Sequence, residues 1–223
     1  MREIVFDTET TGLDPDSGHR IVELAGVELL NHIPTGIVFH RYINPERDVP
    51  PEAFAVHGLS ADFLSAHAVF AAAADDFLAF IADATLVIHN AEFDLKFVNA
   101  ELARLARPKL ATAYIDTLLM ARKRFPGAPA SLDMLCRRYG IDLSARDKHS
   151  AVLDCQLLAK VYLELIGGRQ PGLEFAATAG AATGGNSVQR ALREPRPHQP
   201  SEEERTRHAT FLAKIKAPIW NEE

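Results

Sequence analysis

The sequence predicts an α/β domain in which a mixed central sheet is flanked by helices, followed by a flexible linker and a C-terminal helix. Strand and helix signals alternate over the first 166 residues, which is typical of a sheet covered by helices. The strand-like segments are short apolar runs of the kind that a sheet buries. After residue 168 the composition changes abruptly. A chain of 223 residues is long enough for one good-sized core and such an appendage.

Five segments have the apolar character of strands: 3–6, 20–30, 36–43, 85–90 and 113–115. Apolar residues at helical spacing predict five helices in the domain: 74–82, from the end of the fourth strand to about 105, 116–124, 131–139 and 150–166. Residues 31–35, with Pro34, predict a hairpin connection between the second and third strands. The proline-rich segment 45–60 predicts irregular structure.

The net charge of the chain is −6. A protein that holds nucleic acid by itself is usually basic, because neutralising phosphates drives its affinity. We therefore expect weak unaided binding of DNA or RNA. Either the substrate is something else, or bound metals and a partner protein deliver the chain to nucleic acid.

Membrane insertion and secretion are not expected. No apolar run approaches the roughly 18–20 residues that span a bilayer, and Met1 leads directly into a strand-like segment without a charged and apolar leader. The sequence therefore predicts a cytoplasmic protein. Cys136 and Cys155 lie in predicted helices without a CxxC partner, so we expect buried free thiols.

Acidic residues follow the first predicted strand. Side chains in a strand alternate between faces, so Asp7 and Glu9 should project to the same side. Carboxylate oxygens are the ligands that Mg²⁺ and Mn²⁺ prefer, and an Asp-x-Glu pair can hold one ion and bridge to another. A solvated turn with incidental acids would have the same local sequence.

Two later segments carry further candidates. Asp94 lies in the first turns of a predicted helix on an otherwise apolar face, where it either binds metal or complements the helix dipole. Asp154 shares a helix stripe with Leu157, Leu158, Val161 and Leu165. A carboxylate aimed at the interior is costly unless it is paired or binds a metal. His149 precedes this helix, on a predicted loop.

Together the three segments resemble the DEDD exonuclease superfamily, in its histidine-bearing branch, over roughly residues 1–166 and in the same order. The resemblance implies a ribonuclease H-like fold and two-metal hydrolysis at a single-stranded 3′ end. It further implies that Asp7, Glu9, Asp94 and Asp154 bind two divalent ions, Mg²⁺ or Mn²⁺, and that His149 is the general base.

The resemblance also implies substrate contacts. The family places the apolar residue after the first motif near the terminal base, and this residue is Leu13 here. Three residues within the motif segments are expected to contact substrate as well: Thr8, Asn90 and Phe93.

Two further matches have alternative explanations. His57, in Val56-His57-Gly58, matches a recurrent family segment, but a lone histidine is more often a satisfied core residue, so we expect either a structural or a substrate-lining role. Asp116-Thr117 also matches, but a helix cap explains this pair as well.

The predicted organisation is an exonuclease domain at 1–168, a flexible linker at 169–200 and a docking segment at 201–223. Sixteen of the 34 residues at 167–200 are Gly, Ala or Pro. Such a segment cannot bury enough apolar surface to offset the conformational entropy that it would lose on ordering. Ser201 and Glu204 form a capping-box pattern that predicts a helix start. The last segment has only a few large apolar groups, namely Phe211, Leu212, Ile215 and Trp220, which is typical of a docking peptide.

A linker followed by a tryptophan-bearing helix resembles the epsilon-type proofreading subunits of bacterial DNA polymerase III. The resemblance implies removal of mismatched 3′-terminal nucleotides and docking of the tail on the polymerase (alpha) subunit. Residues 170–175 also fit the Q-x-x-L-x-F pattern of sliding-clamp ligands through Gln170, Leu173 and Phe175. The alternatives are a stand-alone exoribonuclease of the same branch and a binding module without catalysis.

Overall fold

A computed structural model describes residues 1–144, 148–168 and 199–215. Its centre is a five-stranded mixed sheet with the strand order β3-β2-β1-β4-β5. The strands are β1 (Arg2–Thr10), β2 (Ile21–Leu30), β3 (Ile33–Tyr42), β4 (Thr85–Ile88) and β5 (Tyr114–Asp116). The first three strands pair antiparallel, whereas β4 is parallel to both β1 and β5. The predicted mixed sheet is confirmed.

The described residues also form eight α-helices, seven in the unit that contains the sheet and α8 in the second unit. They are α1 (Pro51–His57), α2 (Ala61–Ser65), α3 (Phe70–Ile81), α4 (Ala91–Arg104), α5 (Thr117–Arg124), α6 (Leu132–Tyr139), α7 (Ala151–Leu165) and α8 (Glu202–Leu212). None of them is long and apolar enough to cross a membrane, as judged over the part of the chain that the structure describes.

Helices cover both faces of the sheet because β1 alternates its side chains between two apolar clusters. Ile4 and Phe6 are fully buried with residues of α3 and α4. Val5 is buried with residues of α7, among them Leu158 and Tyr162. The core therefore fixes α4 on one side of β1 and α7 on the other.

The segment at 45–60 is not irregular throughout, because it contains α1. Pro51 is the first residue of this helix, a position where the missing proline N–H costs nothing and its fixed φ suits the helix. The hairpin connection is also shorter than predicted. Asn31 and His32 turn the chain with φ of 50° and 69°, and β3 begins at once. Pro34 is tolerated there because β3 is an edge strand.

The chain divides into two compact units, Met1–Phe175 and Ala176–Glu223. The predicted helix start after residue 200 is confirmed, since Ser201 and Glu204 form the reciprocal capping box of α8. The boundaries at 168 and 200 stay predictions. Cys136 and Cys155 are buried free thiols, as expected.

Candidate active site

The acids of β1 lie at the carboxyl end of the strand. Asp7 is half-buried, and Glu9 is 8% exposed. Both alternate with Thr8 along the strand, so they share the face of Val5, against which α7 packs. The sheet thereby presents two carboxylates to the start of α7.

Thr8 points to the other side and holds Asp94. The Thr8 backbone N–H and hydroxyl both donate to Asp94 Oδ1, at 3.0 and 2.7 Å. Asp94 lies in the first turn of α4 and is 3% exposed. The side chain of Thr8, expected to contact substrate, thus fixes one of the candidate ligand acids to β1.

The third segment completes the cluster. Asp154 is 5% exposed in the first turn of α7, and the four apolar residues of its predicted stripe are all buried. His149 lies outside regular structure, as predicted, and its backbone N–H donates to the carbonyl of Val56. His149 Nδ1 lies 3.3 Å from Asp154 Oδ2. Three possible ligand atoms lie within 4.8 Å of one another, one from each of Glu9, His149 and Asp154.

The electrostatics of this cluster favour a cation. Burial raises the pKa of Asp7 well above its ordinary value, and the charges of Asp94, Glu9 and Asp154 raise it further. Burial also raises the pKa of Asp94 to about 7, against the hydrogen bonds from Thr8, which lower it. Carboxylates crowded in this way are stabilised by a positive charge, and a set of carboxylate oxygens with an imidazole suits divalent metals. The residues therefore fit the divalent ions that the resemblance implies.

A cleft of about 560 Å³ lies beside the acids, and its lining includes four of the expected substrate contacts: Thr8, Leu13, His57 and Phe93. Leu13 is 84% exposed. His57 is buried, and its Nδ1 accepts a hydrogen bond from the Leu59 N–H. Burial lowers the pKa of His57, so its ring is neutral near pH 7.

The fifth expected contact lies elsewhere. Asn90 precedes α4 in a left-handed conformation, with φ of 69°. It lines a second cleft, of about 660 Å³, together with His149 and Asp154. The first cleft therefore reaches Glu9, and the second reaches Asp154.

Two acids near the site were missed or left open by the sequence analysis: Glu23, which is buried, and Asp116, which is half-buried. Glu23, on β2, accepts hydrogen bonds from the start of α7. Asp116 caps α5, so the helix-cap explanation of the Asp116-Thr117 match is correct. The same side chain also accepts hydrogen bonds from backbone N–H groups at the start of α4. An acid inside the continuous apolar run of β2 is the signal that could have identified Glu23.

The predicted partner contacts are only partly visible. Phe211 is exposed and Leu212 is half-buried on α8, and Ile215 is exposed just beyond it. Gln170, Leu173, Phe175 and Trp220 lie outside the described residues.

Comparison with known proteins identifies the family. The RNase_T exonuclease family model matches residues 4–162. A relative described as DNA polymerase III subunit epsilon in Rickettsia prowazekii is 56% identical over 174 residues, or 76% of each chain. The proteins of the same description in Rickettsia conorii and Escherichia coli are 48% and 49% identical. The first alignment spans 96% of both chains, and the second spans 78% of this chain and 75% of the relative.

Solved structures show the same fold at low sequence identity. The nuclease domain of 3′hExo, a DEDDh family member bound to rAMP, superimposes with a TM-score of 0.64 at 18% identity, covering 74% of this chain and 91% of that one. The E. coli ExoI–ssDNA complex in its zinc-bound form gives 0.65 at 20% identity, covering 76% and 41%. The ribonuclease H-like fold is therefore confirmed. The chain belongs to the RNase_T exonuclease family, as a proofreading 3′→5′ exonuclease of the DNA polymerase III epsilon type.

Proposed function

We propose that Asp7, Glu9, Asp94 and Asp154 hold two divalent cations, Mg²⁺ or Mn²⁺, and that His149 is the general base. In this assignment the site removes the 3′-terminal nucleotide of single-stranded DNA. The observation that carries the proposal is the convergence of three separate chain segments. Glu9, His149 and Asp154 share one cluster, while Asp94 is bonded to the residue between Asp7 and Glu9.

The chemistry follows from these positions. When bound, the two cations lower the pKa of the attacking water and stabilise charge on the departing 3′ oxygen. His149 takes the proton of the water, a role that imidazole fills well near neutral pH. Its side chain is 48% exposed at the edge of the cluster, and the contact with Asp154 restrains the ring there. The product is a nucleoside 5′-monophosphate.

The cleft beside the acids suits a terminal nucleotide. Leu13 and Phe93 offer apolar surface to a base, and stacking on such surfaces tolerates any sequence. Nδ1 of His57 accepts a hydrogen bond, which places the proton of the neutral ring on Nε2. That N–H is buried within the protein, so His57 shapes the wall of the cleft and is not free to bind an acceptor on the nucleotide. These contacts favour a frayed single strand over a paired end.

The test is release of mononucleotides from a labelled single-stranded oligonucleotide. The reaction should be abolished by each of four substitutions: Asp7→Asn, Glu9→Gln, Asp94→Asn and Asp154→Asn. EDTA should abolish it in the unaltered protein. Glu92→Gln is the matched control, because Glu92 is an exposed acid two residues before Asp94 on the same helix. Full activity in EDTA, or in any of the four variants, contradicts the assignment.

We further propose that the C-terminal part delivers this exonuclease to its substrate through two partners. Residues 201–223 dock on the polymerase (alpha) subunit, and Gln170, Leu173 and Phe175 bind the sliding clamp. Two observations support the first partner. Phe211 is 59% exposed on a helix that has no buried residue in the described part, and the alignment with the R. conorii relative, which covers 96% of this chain, extends into the tail. The net charge of −6 favours delivery by a partner over unaided DNA binding.

The tail can be tested by calorimetric titration of the polymerase subunit. A chain truncated after Gly168 should keep its activity on free single strands but lose this binding. Trp220→Ala should weaken binding by at least about tenfold, because large aromatic anchors carry much of the energy of an interface. Replacing Gln170, Leu173 and Phe175 by alanine should abolish clamp binding alone. Equal affinity of truncated and full-length chains for the polymerase subunit would show that the docking assignment is wrong.

A further inference from the structure

Two helices that carry candidate ligands begin without a cap of their own. The N-cap residues Asn90 of α4 and Ser150 of α7 make no side-chain capping bond. The first N–H groups of a helix need acceptors, especially where the helix start is buried. In both helices a carboxylate from a neighbouring strand supplies them.

Glu23 performs this role for α7. It is 1% exposed on β2, directly opposite Glu9 of β1. Its Oε2 accepts from the Ala151 N–H at 3.2 Å, and its Oε1 from the Ser150 hydroxyl at 3.3 Å. Nε2 of His40, on β3, lies 2.8 Å from Oε1. One buried carboxylate thus joins the edge of the sheet to the helix start between His149 and Asp154.

Asp116 supplies the missing acceptors at the start of α4. This residue ends β5, and its Oδ1 accepts from Leu118 N–H at 2.8 Å, which caps its own helix α5. The same carboxylate accepts from the N–H groups of Asn90 and Ala91, at 3.2 and 3.1 Å. It therefore ties the start of α4, three residues before Asp94, to the end of a parallel strand.

We propose that Glu23 and Asp116 are positioning residues for the exonuclease reaction, which set the placement of Asp154 and Asp94 by capping α7 and α4 from neighbouring strands. The proposal rests on the assignment of these two aspartates as metal ligands. Displacements of about 1 Å in a catalytic site can cost 100-fold in rate, so a helix start that shifts or frays is enough to disturb the site. A buried carboxylate beside other acids, such as Glu23 opposite Glu9, destabilises the fold unless it makes compensating contacts. The bonds from Glu23 to the start of α7 are such contacts.

The chain offers a matched control at the other end of the same helix. Glu3 is fully buried on β1, and it accepts a hydrogen bond from the Tyr162 hydroxyl of α7 at 2.7 Å. Nδ1 of His32 lies 2.8 Å from it. Glu3 and Glu23 are therefore both buried glutamates that accept a hydrogen bond from α7. Glu3 lies four residues before Asp7, or roughly 13 Å along an extended strand.

The experiment compares Glu23→Gln with Glu3→Gln at a temperature well below both unfolding midpoints, with oligonucleotide and Mn²⁺ varied separately. Both substitutions should lower the unfolding midpoint. Glu23→Gln should also lower kcat by about 10- to 100-fold and raise the Mn²⁺ concentration for half-maximal rate, with KM for the oligonucleotide unchanged. Glu3→Gln should leave all three kinetic values within about twofold. Equal kinetic losses in the two variants would overturn the proposal for Glu23.

Asp116→Ser separates the two contacts of Asp116. Serine is a good N-cap, so it keeps the cap of α5, but its single shorter oxygen cannot also bind the N–H groups of α4. We expect the same kinetic pattern as for Glu23→Gln, together with a lower unfolding midpoint because the N–H groups of Asn90 and Ala91 lose their acceptor. Wild-type kinetics would overturn the proposal for Asp116. Asp154→Asn serves as the reference. If it is inactive while Glu23→Gln and Asp116→Ser are normal, only the positioning role fails; if it is fully active, the metal-site assignment itself fails.

Discussion

Replacing Thr8 by valine tests how strongly the sheet holds a candidate metal ligand. Valine keeps the branched shape of threonine but removes the hydroxyl that donates to Asp94 Oδ1 at 2.7 Å. The Thr8 backbone N–H, which donates to the same oxygen at 3.0 Å, remains. Both residues are more than nine-tenths buried, so water does not replace the lost bond. Asp94 keeps its place but becomes harder to ionise.

The expected magnitude follows from that single bond. A hydrogen bond to a charged group contributes about 1.5–3 kcal/mol, which corresponds to roughly 10- to 100-fold in an equilibrium constant. The bond from Thr8 lowers the pKa of Asp94, so its loss raises that pKa further. Cation binding requires the ionised carboxylate, and we therefore expect metal affinity at pH 7 to fall by this factor. The rate at saturating metal should fall much less.

The assay is the exonuclease rate as a function of Mn²⁺ concentration for wild-type, Thr8→Val and Thr8→Ser proteins. Thr8→Ser keeps the hydroxyl and loses only a methyl group, so it should stay within about threefold of wild type. An unchanged half-saturating concentration in Thr8→Val would refute the reasoning. It would mean that the hydroxyl does not stabilise the ionised form of Asp94.

Four further outcomes are expected. His149→Ala should lower kcat by about 10²- to 10⁴-fold while metal affinity, measured by calorimetry, stays near wild type, because the four carboxylates remain. Tyr162→Phe should remove the bond to buried Glu3, which is worth about 1.5–3 kcal/mol and therefore roughly 3–12 °C in the unfolding midpoint of a domain of this size, without altering kcat. The pH dependence follows from Asp94, whose pKa is raised to about 7, whereas in the unfolded chain the carboxyl ionises near pH 4. The folded, metal-free domain therefore binds the extra proton between these values, and in EDTA its unfolding midpoint should decline as pH rises from about 4 to 7. Metal binding should release more protons at pH 6 than at pH 9, because the raised pKa values of Asp94 and Asp7 leave these ligands more protonated at the lower pH; calorimetry in buffers of different ionisation enthalpy measures this release.

The sequence by itself determined the class of fold and the candidate ligands. The apolar runs identified the strands, and helical spacing identified the longer helices, because burial of one face imposes those periods. Asp154 could be singled out because it interrupts an apolar stripe that the structure buries. The motif order was enough to relate the chain to the DEDD exonucleases, and the family comparison confirms that relation.

Proline was an unreliable local signal, because it occurs in irregular segments but also at helix starts and in edge strands. The segment 45–60 contains several prolines and predicted irregular structure, but Pro51 begins α1. The same residue type sits inside β3 at Pro34 because that strand lies at the edge of the sheet. Edge position is a property of the assembled sheet, so composition could not reveal it.

Only the tertiary structure decided how the acids are held. The bond between Thr8 and Asp94 joins residues 86 positions apart, and the bond between Glu23 and Ala151 joins residues 128 positions apart. Capping rules are read within four residues of a helix start, so a cap supplied from another strand leaves no local pattern. Asp94 and Asp154 can be recognised from the sequence as buried acids, but what fixes them in place depends on which strands the fold brings beside the two helices.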